Sequence, residues 1–411
     1  MTDPSRIVPR WLHVWAVVTL VATLVLLGMG QVVTSHAAGM ADPLWPTDPL
    51  YVFRTATPAE KERFRSESAF FVEHSHRIAA FSVGGLVILL ALGLAVTDPR
   101  KVAGGVAVAG LVLLIAGFGD IHRDLMGQNK LIKEGMLSKA DIHVPVRATT
   151  VSLGGLVIAL AVAASGLFAR GGTVRLLGTL ALAGVMLQGL FGGVRVLMNE
   201  VVGPDLAMIH GMFAQVVFGL LAAIAVLSAR PNTSNPDAGK YGRVATAVAL
   251  LVFAQVLFGA LVRHTPGPLT QRLHLLTAFV ATVVVMWFTH YIMKASCVRA
   301  RVAPLVWALS GLLVVQVGLG VEAWLARFGD PLLSESARMT PQYIATRTLH
   351  ALVGSSLWAI SLTLALILRR SSGAAAHTLA EPGHDRPNAG GTQVPVCTPE
   401  TIASHRRGDA R

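Results

Sequence analysis

Charge is scarce in this chain. Only 14% of its 411 residues are Asp, Glu, Lys or Arg, against roughly 25% in an ordinary soluble domain. So few charges cannot cover the surface of a soluble globule this large, so that class is excluded. Cysteine is scarcer still. Cys297 stands at a helix end and Cys397 in the polar C-terminal stretch, with no CxxC or other ligand spacing, so a thiolate metal centre is excluded as well. Basic residues outnumber acidic ones, 34 to 22. The excess sits in short loops between apolar runs, which is a topology signal rather than a nucleic-acid footprint.

What is present is apolar. Hydrophobic residues make up 53% of the chain and the mean hydropathy is +0.61, so the lipid bilayer is the natural solvent. Ten segments approach the ~20 residues that a spanning helix needs: 11–32, 75–96, 101–119, 148–169, 174–198, 207–228, 241–263, 272–293, 303–326 and 346–369. The third is the shortest. The first, Trp11 to Val32, is too long for a signal-peptide core, and Ser35-His36-Ala37-Ala38 is a weak cleavage match, so it reads as a spanning helix. Backbone groups in lipid must be satisfied within the segment, so all ten are helices. The predicted fold class is an all-α polytopic membrane protein.

The loops alternate in character. One set is short and basic: Arg100-Lys101, Arg170 with Arg175, Lys240 with Arg243, and Lys294 with Arg299 and Arg301. Arg6, Arg10 and Arg369-Arg370 fall on the same side. The positive-inside rule puts that side and both termini in the cytoplasm, with the chain in the inner membrane of the cell. The other loops are longer and carry the acidic residues and the Trp45-Pro46 pair. Residues 371–411 read as a disordered tail.

A repeat runs through the helices. Three of them end in Gln-x-x-(Phe/Leu)-Gly: Gln188 to Gly192, Gln255 to Gly259, and Gln316 to Gly320. Each is followed by a helix opening on a histidine with a small residue one turn later: His210 with Ala214, His274 with Ala278, His350 with Gly354. The first hairpin follows the plan more loosely, with Gly28 and Gly30 closing one helix and His76 with Ala80 opening the next. The small residue lets a planar ligand or another helix come close. The segment at about 101–169 departs from the plan, since Pro145 and Arg147 follow its His143, and it reads as an extra hairpin. His122 and His143 within it are weak ligand candidates. His74 and His264, beside the repeated positions, are at best neighbours of the sites.

A single histidine near a membrane surface is usually an interfacial residue. Four at equivalent repeat positions suit the two axial positions of haem iron, twice over. Zinc or copper would also accept imidazole, but no cysteine or carboxylate cluster completes such a site. Glu73 lies one turn before His76 on the same face, and an ionisable group at that depth is a candidate for proton transfer. Its plainer role is a helix N-terminal carboxylate. Arg77, Arg195, Arg263 and Arg272 lie near the same level and suit haem propionates, or serve as snorkelling anchors.

Glu73-His74-Ser75-His76-Arg77, followed by three further helices opening on histidine after Gly-rich helix ends, resembles the haem A synthase family. The stretch Gly30 to Met40 and Asp42-Pro43-Leu44-Trp45-Pro46 are similar to that family's first outer loop. The resemblance covers roughly residues 10–370. It implies eight core helices in two four-helix halves, here with the extra hairpin added. Residues 1–232 would form the half that binds the substrate, haem O, through His76 and His210, with Arg77 beside them. Residues 233–370 would form the half that holds a haem b cofactor through His274 and His350. Glu73 would be the catalytic glutamate, and the C8 methyl of haem O would be oxidised to a formyl group to give haem A for an aa-type terminal oxidase. Implied partners are the bilayer, a haem farnesyltransferase, oxidase assembly factors, an electron donor and a second copy of the chain. Two features depart from the family: the first outer loop lacks a cysteine pair found in many members, and the extra hairpin interrupts the N-terminal half. A dihaem b-type electron carrier, or a haem chaperone, would use the same four histidines.

Overall fold

The computed structural model describes residues 7–42, 45–46, 48–138, 141–202, 204–230, 238–329 and 340–379. They form twelve helices: α1 (Arg10–Ser35), α2 (Tyr51–Arg54), α3 (Pro58–Ser66), α4 (Ser68–Val96), α5 (Lys101–Lys133), α6 (Val146–Ser165), α7 (Gly172–Val202), α8 (Pro204–Ser228), α9 (Ala238–His264), α10 (Pro268–Met293), α11 (Ser296–Phe328) and α12 (Pro341–Leu379). All but α2 and α3 are long and apolar enough to cross a membrane. The chain is an all-α, multi-pass membrane protein with ten candidate spans. The helices α2 and α3 lie in the connection between α1 and α4, where a capping box of Thr57 and Glu60 starts α3.

The ten spanning helices sort into two rings and an appendage. In the first ring, α1 packs on α4, α4 on α7, α7 on α8, and α8 back on α1. In the second, α9 packs on α10, α10 on α11, α11 on α12, and α12 on α9. The rings meet where α12 packs against α1 and α8, and α8 against α9. Trp358 of α12 fastens this seam, donating its indole N–H to the Gln215 carbonyl of α8 at 3.2 Å while its ring packs on Phe253.

The extra hairpin, α5 and α6, lies outside the first ring, against α4 and α7. Its two helices touch backbone to backbone. A methyl added at Gly110 would fall 2.8 Å from the Gly155 carbonyl oxygen, and one at Gly117 would fall 2.6 Å from the Ser152 nitrogen. Ser152 also donates to the Leu114 carbonyl at 3.1 Å. Small residues and one interhelical hydrogen bond are what association in lipid rewards.

The helix limits differ from the apolar runs in a consistent way. The helix α5 continues to Lys133, well past the apolar limit near Gly119, and α4 begins at Ser68, before its apolar run at 75. Both extensions carry polar residues on the histidine-bearing side of the molecule. Similarly, α12 continues past Ser371 to Leu379, and the remainder of the expected tail lies outside the described residues, as does the boundary at 232–233.

The large apolar cores are concentrated at one end of each ring. In the second ring the buried residues run from Ala238 to Val252 on α9, Ala281 to Ile292 on α10, Val298 to Leu313 on α11, and Leu357 to Leu368 on α12. These are the ends away from the histidines. The same holds in the first ring for Val83 to Ala95 of α4 and Val217 to Ala225 of α8. Toward the histidine side, most side chains in both rings are half-buried or exposed, with Val33 and Ser35 of α1 and Phe70, Glu73 and His74 of α4 among the buried exceptions. Each ring is thus tightly packed at one end and more loosely packed at the other.

Candidate functional site

The repeated motif builds the same local contact four times. A methyl added at Gly30 would fall 3.1 Å from the His76 ring, at Gly192 3.3 Å from His210, at Gly259 3.3 Å from His274, and at Gly320 2.9 Å from His350. Each glycine therefore leaves the space that the imidazole of the next ring helix fills. The glutamine one turn earlier is a bracket. Gln188 donates to the His210 carbonyl at 2.9 Å and Gln255 to the His274 carbonyl at 3.0 Å. Gln255 also reaches His274 Nδ1 at 3.1 Å, and Gln316 reaches the His350 ring at 3.5 Å. The small residue after the histidine admits this bracket: a methyl at Gly354 would fall 3.3 Å from the Gln316 amide. The sequence left open whether a ligand or a helix needed that space, and at Gly354 the helix uses it. Position 26, where α1 would carry its glutamine, is Leu26, so His76 has no such bracket.

In each ring the two histidines stand on diagonally opposite helices, α4 and α8 in the first, α10 and α12 in the second. His274 and His350 face each other with ring centroids 6.3 Å apart and planes at 86°. Metal–imidazole bonds of about 2.0–2.1 Å, plus about 1.1 Å from each nitrogen to its ring centre, put two axial imidazoles about 6 Å apart. The centroid separation would accommodate a single iron between the two imidazoles, whose planes are crossed. His210 lies within electrostatic reach of His76. Buried Nδ1 atoms of His76, His210 and His350 have no hydrogen-bond partner within the protein. Among the described residues no three His, Cys, Asp or Glu side chains converge as a bare-ion site.

The clefts are lined by cations. Arg77 and Arg195 lie within electrostatic reach of His76, and Arg263 of His350. Arg263 is close to Arg327 and Arg347, neither of which the sequence reading singled out. It also joins the two rings, donating to the Gln31 side chain at 2.6 Å and to Ser35 at 2.7 Å, both on α1. Clusters of guanidinium groups at the mouths of apolar clefts suit a ligand that is apolar in body and carboxylate at the rim. Arg272 is exposed at the start of α10.

Glu73 is buried, with 4% of its surface exposed. Its carboxylate accepts from Arg77 at 2.9 Å and from the backbone N–H of Asp42 at 2.8 Å. Asp42, fully buried, is the hub that sequence reasoning missed. Its carboxylate faces Arg77 at 3.2 Å, His74 at 3.2 Å and the Tyr51 hydroxyl at 3.4 Å, and its carbonyl accepts from Arg77 at 2.6 Å. Burial first, then the Asp42 and Glu60 charges, push the Tyr51 phenol up, so it stays a protonated donor. His74, placed by sequence beside the site, is the buried anchor of this network, packed among Tyr51, Phe64 and Phe70. The network pins the first long loop to the start of α4, next to His76. The only signal for Asp42 in the sequence was its place in the Asp42-to-Pro46 stretch.

The weak candidates of the extra hairpin take other roles. His143 is exposed, and its backbone N–H and carbonyl are both held by Gln128, at 3.0 and 2.8 Å. His122 packs edge-on between Trp45 and Phe81. Compared with known proteins, the chain matches no family model, no curated protein and no solved structure.

Proposed function

We propose that this protein is a haem A synthase-like oxidoreductase of the inner membrane, with both termini cytoplasmic, converting the C8 methyl of haem O to a formyl group. The observation that carries the reading is the pair of diagonal histidine sites, above all the 6.3 Å separation of the His274 and His350 rings. His274 and His350 would hold haem b, and His76 and His210 would flank haem O. Bound haem supplies the redox chemistry that an unactivated C–H bond requires.

The chain's own residues have definable tasks. The four glycines and the glutamine brackets fix the imidazoles. The arginines at each mouth hold propionates and set the ligand's depth. A lipid-facing opening between helices would admit a ligand with a long apolar tail without passage through water. Glu73, one turn from His76, takes and returns protons at its carboxylate, with Arg77 holding it in place. The Asp42 backbone N–H fixes the position of the other carboxylate oxygen.

A dihaem electron carrier is the second reading, and one observation favours it. Both Glu73 oxygens are already engaged, by Arg77 and by the Asp42 N–H, as a structural carboxylate would be. The test is chromatography of haems extracted from membranes that make haem O, with and without the chain. Haem A appearing only with the chain supports the synthase. Unchanged haem O, with the chain folded and haem-loaded, supports the carrier.

A further inference from the structure

The first ring has a structure over its cleft that its counterpart at the start of the second ring lacks. The α9-to-α10 connection is only residues 265–267, whereas the α1-to-α4 connection spans 36–67. Two described parts of this long connection press onto α7. Gly39 lies against the Arg195 guanidinium, and the Trp45 indole lies against Gly193, where an added methyl would overlap the ring. Gly193 is the neighbour of Gly192, which abuts His210. On the opposite wall, Asp42 is fastened to Glu73 and Arg77 of α4. Residues 39–42 of the connection thus run from Arg195 of α7 to Glu73 and Arg77 of α4, and Glu73 and Arg77 flank His76 in the sequence.

The extra hairpin holds the far end of this crossing. Asn129 of α5 donates its amide to the Trp45 carbonyl. His122 of α5 meets the Trp45 ring edge-on at 6.4 Å between centroids, and its other contact is Phe81 of α4 at 5.6 Å. Trp45 packs against a small cluster of Ile121, Leu125 and Ala148, all supplied by the hairpin. This also accounts for the polar extension of α5 beyond its apolar limit, since His122, Leu125 and Asn129 all lie on it. A tryptophan buries some 150–250 Å² and carries directional contacts at little entropic cost.

We infer that the α5–α6 hairpin is a clamp that seats Trp45 on Gly193 as a fixed roof over the His76–His210 cleft, controlling how fast a planar ligand leaves that cleft and not the other. The inference rests on the haem reading of the two clefts. Trp45, Asn129 and Gly193 are positioning residues.

The experiment uses the full chain in lipid nanodiscs, loaded with ferric haem b, with transfer to excess apomyoglobin followed by absorbance. The parent chain releases haem in two phases, and His210→Ala identifies the phase that belongs to the first cleft. Trp45→Ala removes the roof, Gly193→Val displaces it from below, and Asn129→Leu loosens its clamp at nearly constant size. Each variant is expected to speed the first-cleft phase by about tenfold and leave the other unchanged. Trp45→Phe is expected to restore most of the loss. Rates within about twofold of the parent in both phases for Trp45→Ala and Asn129→Leu would overturn the roof. Equal acceleration of both phases would overturn it too, as general loosening. Failure of the parent chain to take up haem at all would instead overturn the haem reading itself.

Discussion

Replacing Gly320 with alanine separates the fold from the site. The new methyl would stand 2.9 Å from His350 Cε1, whereas comfortable carbon–carbon contact is about 3.5–4.0 Å. The imidazole tip must therefore retreat by roughly 0.6–1.1 Å. Without a ligand only the long 3.5 Å contact from Gln316 restrains the ring, and it rotates aside, while α11 gains up to about 1 kcal/mol from losing a mid-helix glycine. With iron bound, the ring is pinned and the overlap persists, at the ~1–3 kcal/mol of an overpacked core. The apoprotein should thus melt at the parent temperature or slightly above. Haem b affinity at the His274–His350 site should fall by about 5- to 150-fold. Gly311→Ala on the same helix, where nothing lies within 4 Å of the added methyl, should change affinity little. Titration of apoprotein with haem b, followed at the Soret band, reads both variants. Parent-like affinity in Gly320→Ala would refute the idea that the helix-end glycines exist to seat the histidines.

Three further outcomes follow from the same structure. Glu73→Gln should keep haem uptake but abolish turnover, with a stability loss of about 1–3 kcal/mol from weakening the Arg77 and Asp42 hydrogen bonds; normal product yield would remove Glu73 from the chemistry. Asp98→Ala should cost ~3 kcal/mol by leaving Arg175 buried without its counter-ion, read as a lower midpoint in detergent at neutral pH. Burial alone would raise the Asp98 carboxyl, but hydrogen bonds from Arg100 and the charges of Arg175 and Arg100 outweigh it and hold it below the usual range. Its contribution is therefore complete above the ordinary carboxylate pKa of about 3.9 and lost as pH falls through the lower folded value. The gap between parent and Asp98→Ala should close in strong acid; a gap that persists unchanged there would contradict the assignment. Gly155→Leu should separate α5 from α6 and deplete folded protein, whereas Gly154→Leu, with open space around it, should express normally.

The spans were legible because apolarity in lipid leaves little freedom: ten runs became ten helices, and the repeat identified the four histidines and their glycines. Helix limits were less legible, for a physical reason. An apolar run marks the part of a helix in lipid, whereas α5 continues through Asp120, Arg123, Lys130 and other polar residues that pair along its own turns. That extension is what reaches Trp45, so the hairpin's contacts with the first connection were hidden along with it. Asp42 was hidden differently. A loop aspartate shows no periodicity, and its burial depends on α4 supplying Arg77 and His74 from across the connection. The diagonal placement of each pair also could not be read from spacing, because it depends on which helices pack in the ring.

The central claim is that two histidine pairs hold two haems, and the most direct measurement is the haem content and axial ligation of the purified full chain. The account predicts up to two haems per chain with low-spin, six-coordinate spectra, and selective loss of one in His274→Ala. A folded chain that takes up no haem, or that keeps an unchanged low-spin spectrum in both His274→Ala and His350→Ala, would contradict it.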